Sequence, residues 1–343
     1  MTGSNRFAST ADQFASAVEE LQGHKVAVIG HIRPDGDCIG SVTGCVAMLS
    51  QRGIDATGMI GQTDPFSPDF LTIPGGKDVA CRKELPSDVT AIVTVDCGSI
   101  DRTGTLQEGI ERLKSAGHPV VNIDHHDSNT SFGTRNLVEP SRESVTMILY
   151  GYAVAGGFDL TKELAHSLYA GLLTDTGSFR WGGPDAHAMA AELMGYGIDT
   201  QQITFDLIDH TTVEELTFTG EMLSRVQLLD VGGKKLALIV GDFESIDGRS
   251  KASIESLIDY VRAIEDADIG CVMKEQYPGY WSVSLRSRFS MFRVSPELWA
   301  EAGTLLLRGT PLPAMPVTLS VRFRMRLAVS SPRSFVRVAA NLP

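Results

Sequence analysis

Acidic and histidine side chains follow several apolar stretches of this 343-residue sequence. The residues concerned are His31, Asp35, Asp37, Asp96, Asp124, His125, His126 and Asp175. Carboxylates as close as Asp35 and Asp37 repel each other unless a cation lies between them. Carboxylate oxygens combined with neutral imidazole nitrogens suit transition metal ions better than Mg²⁺ or Ca²⁺. The sequence therefore predicts a metal centre, and two metal ions that share a carboxylate can activate water against a phosphate ester.

Each segment also has a simpler interpretation. Paired aspartates such as Asp35 and Asp37 often form turns or cap helices, and His125 and His126 could be one core and one surface histidine. The run DGDCIG resembles a calcium loop, but Val46 occupies the twelfth position, where such loops carry glutamate. A nucleophile loop of the haloacid-dehalogenase type would leave the preceding HIRP unexplained. The joint pattern therefore favours the metal centre.

Strand and helix patterns alternate in the first half of the chain. KVAVIG (25–30), TAIVTVD (90–96) and PVVNID (119–124) are apolar throughout, as buried parallel strands are. Helical patterns follow in CIGSVTGCVAMLSQRG (38–53) and LQEGIERLKSAG (106–117). This order predicts an α/β fold with a parallel sheet, in which ligands bind beyond the carboxyl ends of the strands. The acidic clusters follow these ends, so we expect them to lie together.

The second half of the chain has a helical region followed by another α/β pattern. Residues from about 142 to 228 look largely helical, and we interpret the polar segment TVEELTFTGEMLSRVQLLD as a helix that connects two domains. The elements predicted after it are a strand at 235–241, a helix at 253–267, and strands at 269–276 and 279–288.

Composition excludes several classes of protein. The net charge of −12 argues against broad binding to duplex nucleic acid, which requires a basic surface. No apolar run approaches the roughly 18–20 residues that span a bilayer, and the N-terminus lacks a signal-peptide pattern. The five cysteines form no CxxC pair, which fits a reducing compartment. We therefore expect a cytoplasmic protein with no membrane partner.

Four segments resemble the motifs of the DHH phosphoesterase superfamily: HIRPDGDCIGS, VDCGSIDRTG, IDHHDSN and GLLTDTGSFRW. They occur in the family's order and are most similar to the branch of oligoribonucleases (nano-RNases) and phosphoadenosine-phosphate phosphatases. The resemblance implies a parallel-sheet DHH domain followed by a smaller α/β DHHA1-type substrate-binding domain. The expected divisions are a catalytic domain at 1–190, a helical connector at 191–228, a partial substrate-binding domain at 229–288 and an aberrant tail at 289–343.

The resemblance also implies a role for each motif residue. Two Mn²⁺ ions are expected, one held by His31, Asp35 and Asp96, the other by Asp37, Asp96, His125 and Asp175. Asp96 would bridge them, and a water between the ions would be the nucleophile. Asp124 would orient a neighbouring histidine, and His126 would face the phosphate and assist the leaving group. Residues expected near substrate phosphates are Arg33, Ser99, Arg102 and, in the second domain, Arg286.

Several activities are compatible with these motifs. The expected substrates are short single-stranded oligoribonucleotides and 3′-phosphoadenosine 5′-phosphate, and a homodimer is compatible with the sequence. A family II inorganic pyrophosphatase shares the metal motifs, but its second domain would present a cluster of lysines and arginines rather than WSVSLRSR. A RecJ-like exonuclease would be longer, and a hydrolase of linear dinucleotides is also an alternative. A catalytically weak nucleotide-binding protein is the non-enzymatic alternative.

The tail that starts at residue 289 departs from this pattern. Residues 1–288 hold 40 acidic and 23 basic residues, whereas residues 289–343 hold seven arginines, no lysine and two acidic residues. The glycine-rich GGGH signature expected after SLRSR is missing. With suitable codons, a two-base offset converts PELWAEAGTLLLRGTP (296–311) into GAVGGGGHPLAAGYT, which contains that signature. We interpret the tail as the product of a change in reading frame near residues 288–290.

Overall fold

The computed structural model describes residues 9–231, 234–278, 280–287, 304–308, 324–328 and 335–339. The chain divides into two compact units, Met1–His210 and Thr211–Pro343. Across the described ranges, no helix is both long and apolar enough to cross a membrane. The finer division expected from the sequence, with its separate connector, stays a prediction.

The first unit is built on a six-stranded sheet with the order β3-β2-β1-β4-β5-β6, and all its strands are parallel. The strands are β1 (Lys25–Gly30), β2 (Asp55–Ile60), β3 (Ala80–Cys81), β4 (Ala91–Val95), β5 (Val120–Asp124) and β6 (Arg135–Val138). Alternate residues of β1 face opposite apolar clusters, with Val26 and Val28 on one side and Ala27 and Ile29 on the other. Burial on both faces explains why the central strands are continuously apolar.

Helices surround this sheet, and several of them carry site residues at their ends. They are α1 (Ala11–Glu20), α2 (Gly36–Gln51), α3 (Gln107–Ser115), α4 (Val145–Gly156), α5 (Lys162–Asp175), α6 (Pro184–Met194) and α7 (Thr200–Thr204). Helices α2 and α5 approach each other closely at Gly40, where a Cβ atom would lie 2.4 Å from the carbonyl oxygen of Ser167. This close approach brings the start of α2 near the end of α5.

The second unit contains a five-stranded sheet with the order β11-β10-β9-β8-β7. Its strands are β7 (Gln227–Val231), β8 (Lys234–Gly241), β9 (Ile269–Tyr277), β10 (Tyr280–Ser287) and β11 (Thr304–Arg308). Strands β8 and β9 are parallel, and the other pairs are antiparallel. The helices are α8 (Val213–Leu223), α9 (Phe243–Ile246) and α10 (Lys251–Val261). Strands β12 (Arg324–Ala328) and β13 (Phe335–Ala339) form a separate antiparallel pair.

One sequence expectation in this unit is wrong. TVEELTFTGEMLSRVQLLD was predicted as one helix, but α8 ends at Leu223 and β7 begins at Gln227. The capping box of Thr212 and Glu215 starts the helix. The last residues instead pair with β8, because a strand there extends the sheet and satisfies its backbone groups. Most of the tail lies outside the described residues, and of the segment 296–311 only Thr304–Arg308 is described, as β11.

Candidate metal centre

The predicted metal ligands lie together at the carboxyl edge of the parallel sheet. His31 follows β1, Asp96 follows β4, and Asp124 is the last residue of β5. Asp35 and Asp37 flank the first residue of α2, and Asp175 ends α5. Strand ends and helix ends therefore gather the acidic and histidine side chains in one place, as the sequence predicts.

Asp96 occupies the middle of this group. Its side chain is only 3% exposed, and its backbone has a left-handed φ of 58°. Its Oδ2 atom lies 3.3 Å from Nε2 of His31, and Oδ1 lies 3.7 Å from Nε2 of His125. Oδ1 is buried and accepts no hydrogen bond from the described residues. A buried carboxylate oxygen without a partner is unfavourable, and a metal ion at this position would satisfy it.

His125 presents one nitrogen to the group. Its Nδ1 lies 3.1 Å from the carbonyl oxygen of Arg142, and a carbonyl can only accept, so Nδ1 carries the proton and donates. The neutral ring then has its lone pair on Nε2, which is the tautomer that binds metal ions. Nε2 lies 3.5 Å from Oδ2 of Asp175. Asp37, His125 and Asp175 thus offer ligand atoms that all lie within 4.8 Å of one another.

His31 is placed at the other side of Asp96. Its Nδ1 lies 2.9 Å from the carbonyl oxygen of Ile32, and its Nε2 lies 3.7 Å from Oδ2 of Asp35. The other oxygen of Asp35 accepts a hydrogen bond from the backbone N–H of Cys38 and caps α2. His31, Asp35 and Asp96 thus lie around one possible metal position. Asp37, His125 and Asp175 lie around a second.

Asp37 is fully buried and also organises the helix packed beside it. Its Oδ2 accepts a hydrogen bond from the backbone N–H of Val145 at 2.7 Å. Its Oδ1 accepts from the backbone N–H of Thr146 at 3.0 Å and from the Thr146 hydroxyl at 2.7 Å. These donors belong to the first turn of α4, whose N–H groups have no partner within the helix. Asp37 thus fixes α4 against α2 while its carboxylate faces the site.

Negative charge is concentrated at this edge of the sheet. Burial, followed by the charge of Asp96, raises the pKa of Asp37 to about 6, although His125 and the hydrogen bonds from Thr146 oppose the shift. Burial and the charges of Asp37, Asp35 and Asp96 likewise raise the pKa of Asp175 well above its usual value. Carboxylates that disfavour each other's charge are the expected donor set for cations. The residues present therefore fit divalent metal ions.

Asp124 accepts hydrogen bonds from the side chains of His126 and Asn129. Its Oδ1 accepts from Nδ1 of His126 at 2.7 Å, and its Oδ2 accepts from Nδ2 of Asn129 at 2.6 Å. Burial disfavours the charged imidazole, but the hydrogen bond and the charge of Asp124 raise the pKa of His126. The His126 side chain is 46% exposed. The sequence left open which histidine Asp124 would orient; the histidine that hydrogen-bonds to it is His126, and the orienting role stays a prediction.

The four residues expected near substrate phosphates have different positions. Arg102 belongs to the site, with Nη2 3.0 Å from Nδ1 of His31. Arg33 is exposed beside it, and its backbone N–H donates to the side chain of Gln62. Ser99 is half-buried at the start of a short 3₁₀-helix after β4. Arg286 is exposed on β10 of the second unit, so its role at the site stays a prediction.

Sequence reasoning missed several residues that support the site. Thr146 holds Asp37, Asn129 holds Asp124, and the indole N–H of Trp181 donates to the carbonyl oxygen of Asp175 at 2.6 Å. Asn129 and Trp181 lie inside the quoted motifs IDHHDSN and GLLTDTGSFRW, so the sequence could have indicated that they lie near the site. Thr146 lies in a plain helical segment, and no local pattern marks it.

Gly171 provides a test of how the site is supported. A Cβ atom at this position of α5 would lie 2.5 Å from Oδ1 of Asp37 and 2.6 Å from Oγ1 of Thr146. We expect Gly171→Ala to lower the free energy of unfolding by about 1–3 kcal/mol and to weaken metal binding, measured by thermal unfolding and metal titration. Gly220→Ala in α8 is the matched control, because nothing lies within 4 Å of the added Cβ. Equal effects of the two substitutions would contradict the steric account.

Comparisons with known proteins agree with this geometry. Residues 25–172 match the model of the DHH family, N-terminal domain. The bifunctional oligoribonuclease and PAP phosphatase NrnA of Thermus thermophilus is 29% identical over 279 residues, which cover 80% of this chain and 79% of that protein. The enzyme of the same name from Bacillus subtilis is 26% identical over 208 residues, covering 59% of this chain and 62% of that protein.

A solved structure shows the same fold. The crystal structure of an exopolyphosphatase-related protein from Bacteroides fragilis superimposes with a TM-score of 0.75 at 20% identity. The match covers 90% of this chain and 92% of that protein. The family match lies within the first unit of the chain, and the solved structure shares the α/β fold; the chain is therefore similar to DHH-family proteins over residues 25–172.

Proposed function

We propose that the protein is a two-metal phosphoesterase that hydrolyses short oligoribonucleotides and 3′-phosphoadenosine 5′-phosphate. Mn²⁺ is the proposed ion, because the mixed carboxylate and imidazole donors suit a transition metal. The names of the Thermus thermophilus and Bacillus subtilis relatives support the substrate class. The single observation that carries the proposal is the buried carboxylate of Asp96, with Oδ2 near His31 and Oδ1 near His125, where Oδ1 has no hydrogen-bond partner among the described residues.

The chain supplies two sets of ligands that share Asp96. His31 and Asp35 would complete the first set, and the second would consist of Asp37, His125 and Asp175 in addition to Asp96. Two bound cations would lower the pKa of a water molecule and neutralise charge on the phosphate. The hydrogen bonds to Arg142 and Thr146 keep the second set oriented before any ligand binds, which reduces the cost of reorganisation.

His126 is proposed as the proton donor to the leaving oxygen. Asp124 accepts a hydrogen bond from Nδ1–H of His126, and Asn129 donates one to Asp124. These contacts fix the ring, while the side chain of His126 remains 46% exposed. Arg33, Ser99 and Arg102 are proposed to bind phosphate oxygens around the metal centre. Arg286 is proposed to bind a further phosphate of the substrate from the second unit.

We expect His126→Asn to lose rate without losing metal. General acid catalysis typically contributes about 10²–10⁴-fold, so kcat should fall by that order while both ions remain bound. Elemental analysis and steady-state kinetics measure the two quantities, and His210→Asn, at an exposed position, is the control. His126 also lies near Asp96, with Nδ1 3.7 Å from Oδ1. Loss of a full metal equivalent would therefore make His126 a ligand and contradict the proposed role.

The substrate class is tested by comparing three compounds. Purified protein with Mn²⁺ is incubated with a ribodinucleotide, with 3′-phosphoadenosine 5′-phosphate and with inorganic pyrophosphate. We expect hydrolysis of the first two and none of pyrophosphate. Preferential hydrolysis of pyrophosphate would favour a family II pyrophosphatase instead. Binding of nucleotides without any hydrolysis would favour the non-enzymatic alternative.

A further inference from the structure

One cysteine lies within reach of the proposed metal ligands. His31, Cys38 and Asp96 are all buried, and each offers a ligand atom within 4.8 Å of the other two. This set is different from the ligand set around Asp37, His125 and Asp175. Its thiol is a donor of a different kind from the carboxylates and imidazoles of the remaining site, because sulfur is a soft ligand.

The sulfur of Cys38 is held in a fixed position at the end of β1. Cys38 lies in the first turn of α2 and is fully buried, with Sγ 3.8 Å from the carbonyl oxygen of His31. A Cβ atom on Gly30 would lie 2.3 Å from this Sγ. Only glycine at position 30 therefore leaves room for the sulfur beside the strand end that carries His31.

The neighbouring donors leave a place for a cation next to this sulfur. Asp96 is buried, and its Oδ2 lies 3.3 Å from Nε2 of His31. The side chain of Asp35, the other candidate ligand near His31, is 55% exposed, and one of its oxygens already caps α2. Cys38 is thus the more buried of the two additional donors at this position.

We propose that the position between His31 and Asp96 binds a thiophilic divalent cation, such as Zn²⁺ or Cd²⁺, through a bond to Sγ of Cys38. Binding breaks the S–H bond, releases the proton to solvent and forms a sulfur–metal bond, with no change in oxidation state. Soft thiolate ligands select such ions. Zn²⁺ or Cd²⁺ would then compete with Mn²⁺ for this position and inhibit the enzyme. The inference rests on the metal centre of the proposed function.

The test is ultraviolet titration of the full chain with Cd²⁺, which gives a sulfur-to-metal charge-transfer band when a thiolate is a ligand. We expect the band in the wild type, its loss in Cys38→Ser and Cys38→Ala, and its retention in Cys45→Ser and Cys97→Ser. Cys97 is the critical control, because it is buried and directly follows Asp96. Thermal unfolding of each variant verifies that it is folded.

Each alternative outcome contradicts the inference. A wild type without the band, a band that persists in folded Cys38→Ser, or a band lost in Cys97→Ser would each overturn the assignment to Cys38. Mn²⁺-dependent hydrolysis by the wild type is measured in the same preparation. Hydrolysis without a charge-transfer band would reject only this inference. Absence of both hydrolysis and Mn²⁺ binding would reject the metal centre itself.

Discussion

Asp96→Asn should abolish hydrolysis more completely than any other single substitution in the site. Asp96 is the residue proposed to belong to both ligand sets, and the substitution removes the negative charge of a carboxylate whose Oδ1 has no hydrogen-bond partner among the described residues. Metal ions contribute several kcal/mol to such reactions, so we expect a loss of about 10³-fold or more in kcat/KM with excess Mn²⁺. Asparagine is the appropriate replacement because it tolerates the left-handed φ of 58°, whereas alanine would add backbone strain.

Asp101→Asn is the matched control for this experiment. Asp101 follows the same strand, is exposed and lies in the adjacent 3₁₀-helix. We expect this variant to retain a rate within about twofold of the wild type, because surface substitutions usually have small effects. Retention of a near-native rate by Asp96→Asn at saturating Mn²⁺ would contradict the proposal that Asp96 bridges two ions.

Restoring the alternative reading frame after residue 288 should raise activity on a ribodinucleotide. All proposed metal ligands precede residue 176, so both forms of the protein should bind metal equally. The missing GGGH segment would supply backbone N–H groups that bind phosphate at close range. Loss of this contact weakens substrate binding and misplaces the reacting phosphate. We therefore expect the present chain to have a kcat/KM about 10²-fold below that of the restored form.

A small phosphodiester distinguishes this explanation from a damaged metal centre. Bis(p-nitrophenyl) phosphate does not extend far from the metals, so the two forms should hydrolyse it at similar rates. The DNA sequence across codons 285–312 gives the restored protein sequence directly. Equal kcat/KM values of both forms with the dinucleotide would mean that the present tail replaces the missing segment functionally.

The strands that carry the site could be predicted because their sequences are apolar throughout. The predicted strands at 25–30, 90–96 and 119–124 correspond to β1, β4 and β5 within one residue. Strands β2 and β6 were not predicted, because DATGMI and RNLV contain glycine or polar residues and lie nearer the sheet edges. These segments are strands because they pair in parallel with β1 and β5. A pattern of neighbouring residues in the sequence does not predict such pairing.

The ligand candidates could be predicted, but the contacts that support them could not. Asp37 binds the N-terminus of α4 at Val145, more than a hundred residues away in the chain. That contact depends on how α2, α4 and α5 pack, which the local sequence does not specify. The pairing of Asp124 with His126 rather than His125 depends on the path of the chain after β5. The soft donor Cys38 was likewise visible in the motif, but only the geometry places it beside His31 and Asp96.

The most direct test of the two-ion centre is anomalous diffraction from crystals of the protein grown with Mn²⁺. We predict two manganese peaks about 3.5–4 Å apart, both in contact with the carboxylate of Asp96. One peak should also contact His31 and the other His125. A single peak, or two peaks of which only one contacts Asp96, would contradict the account.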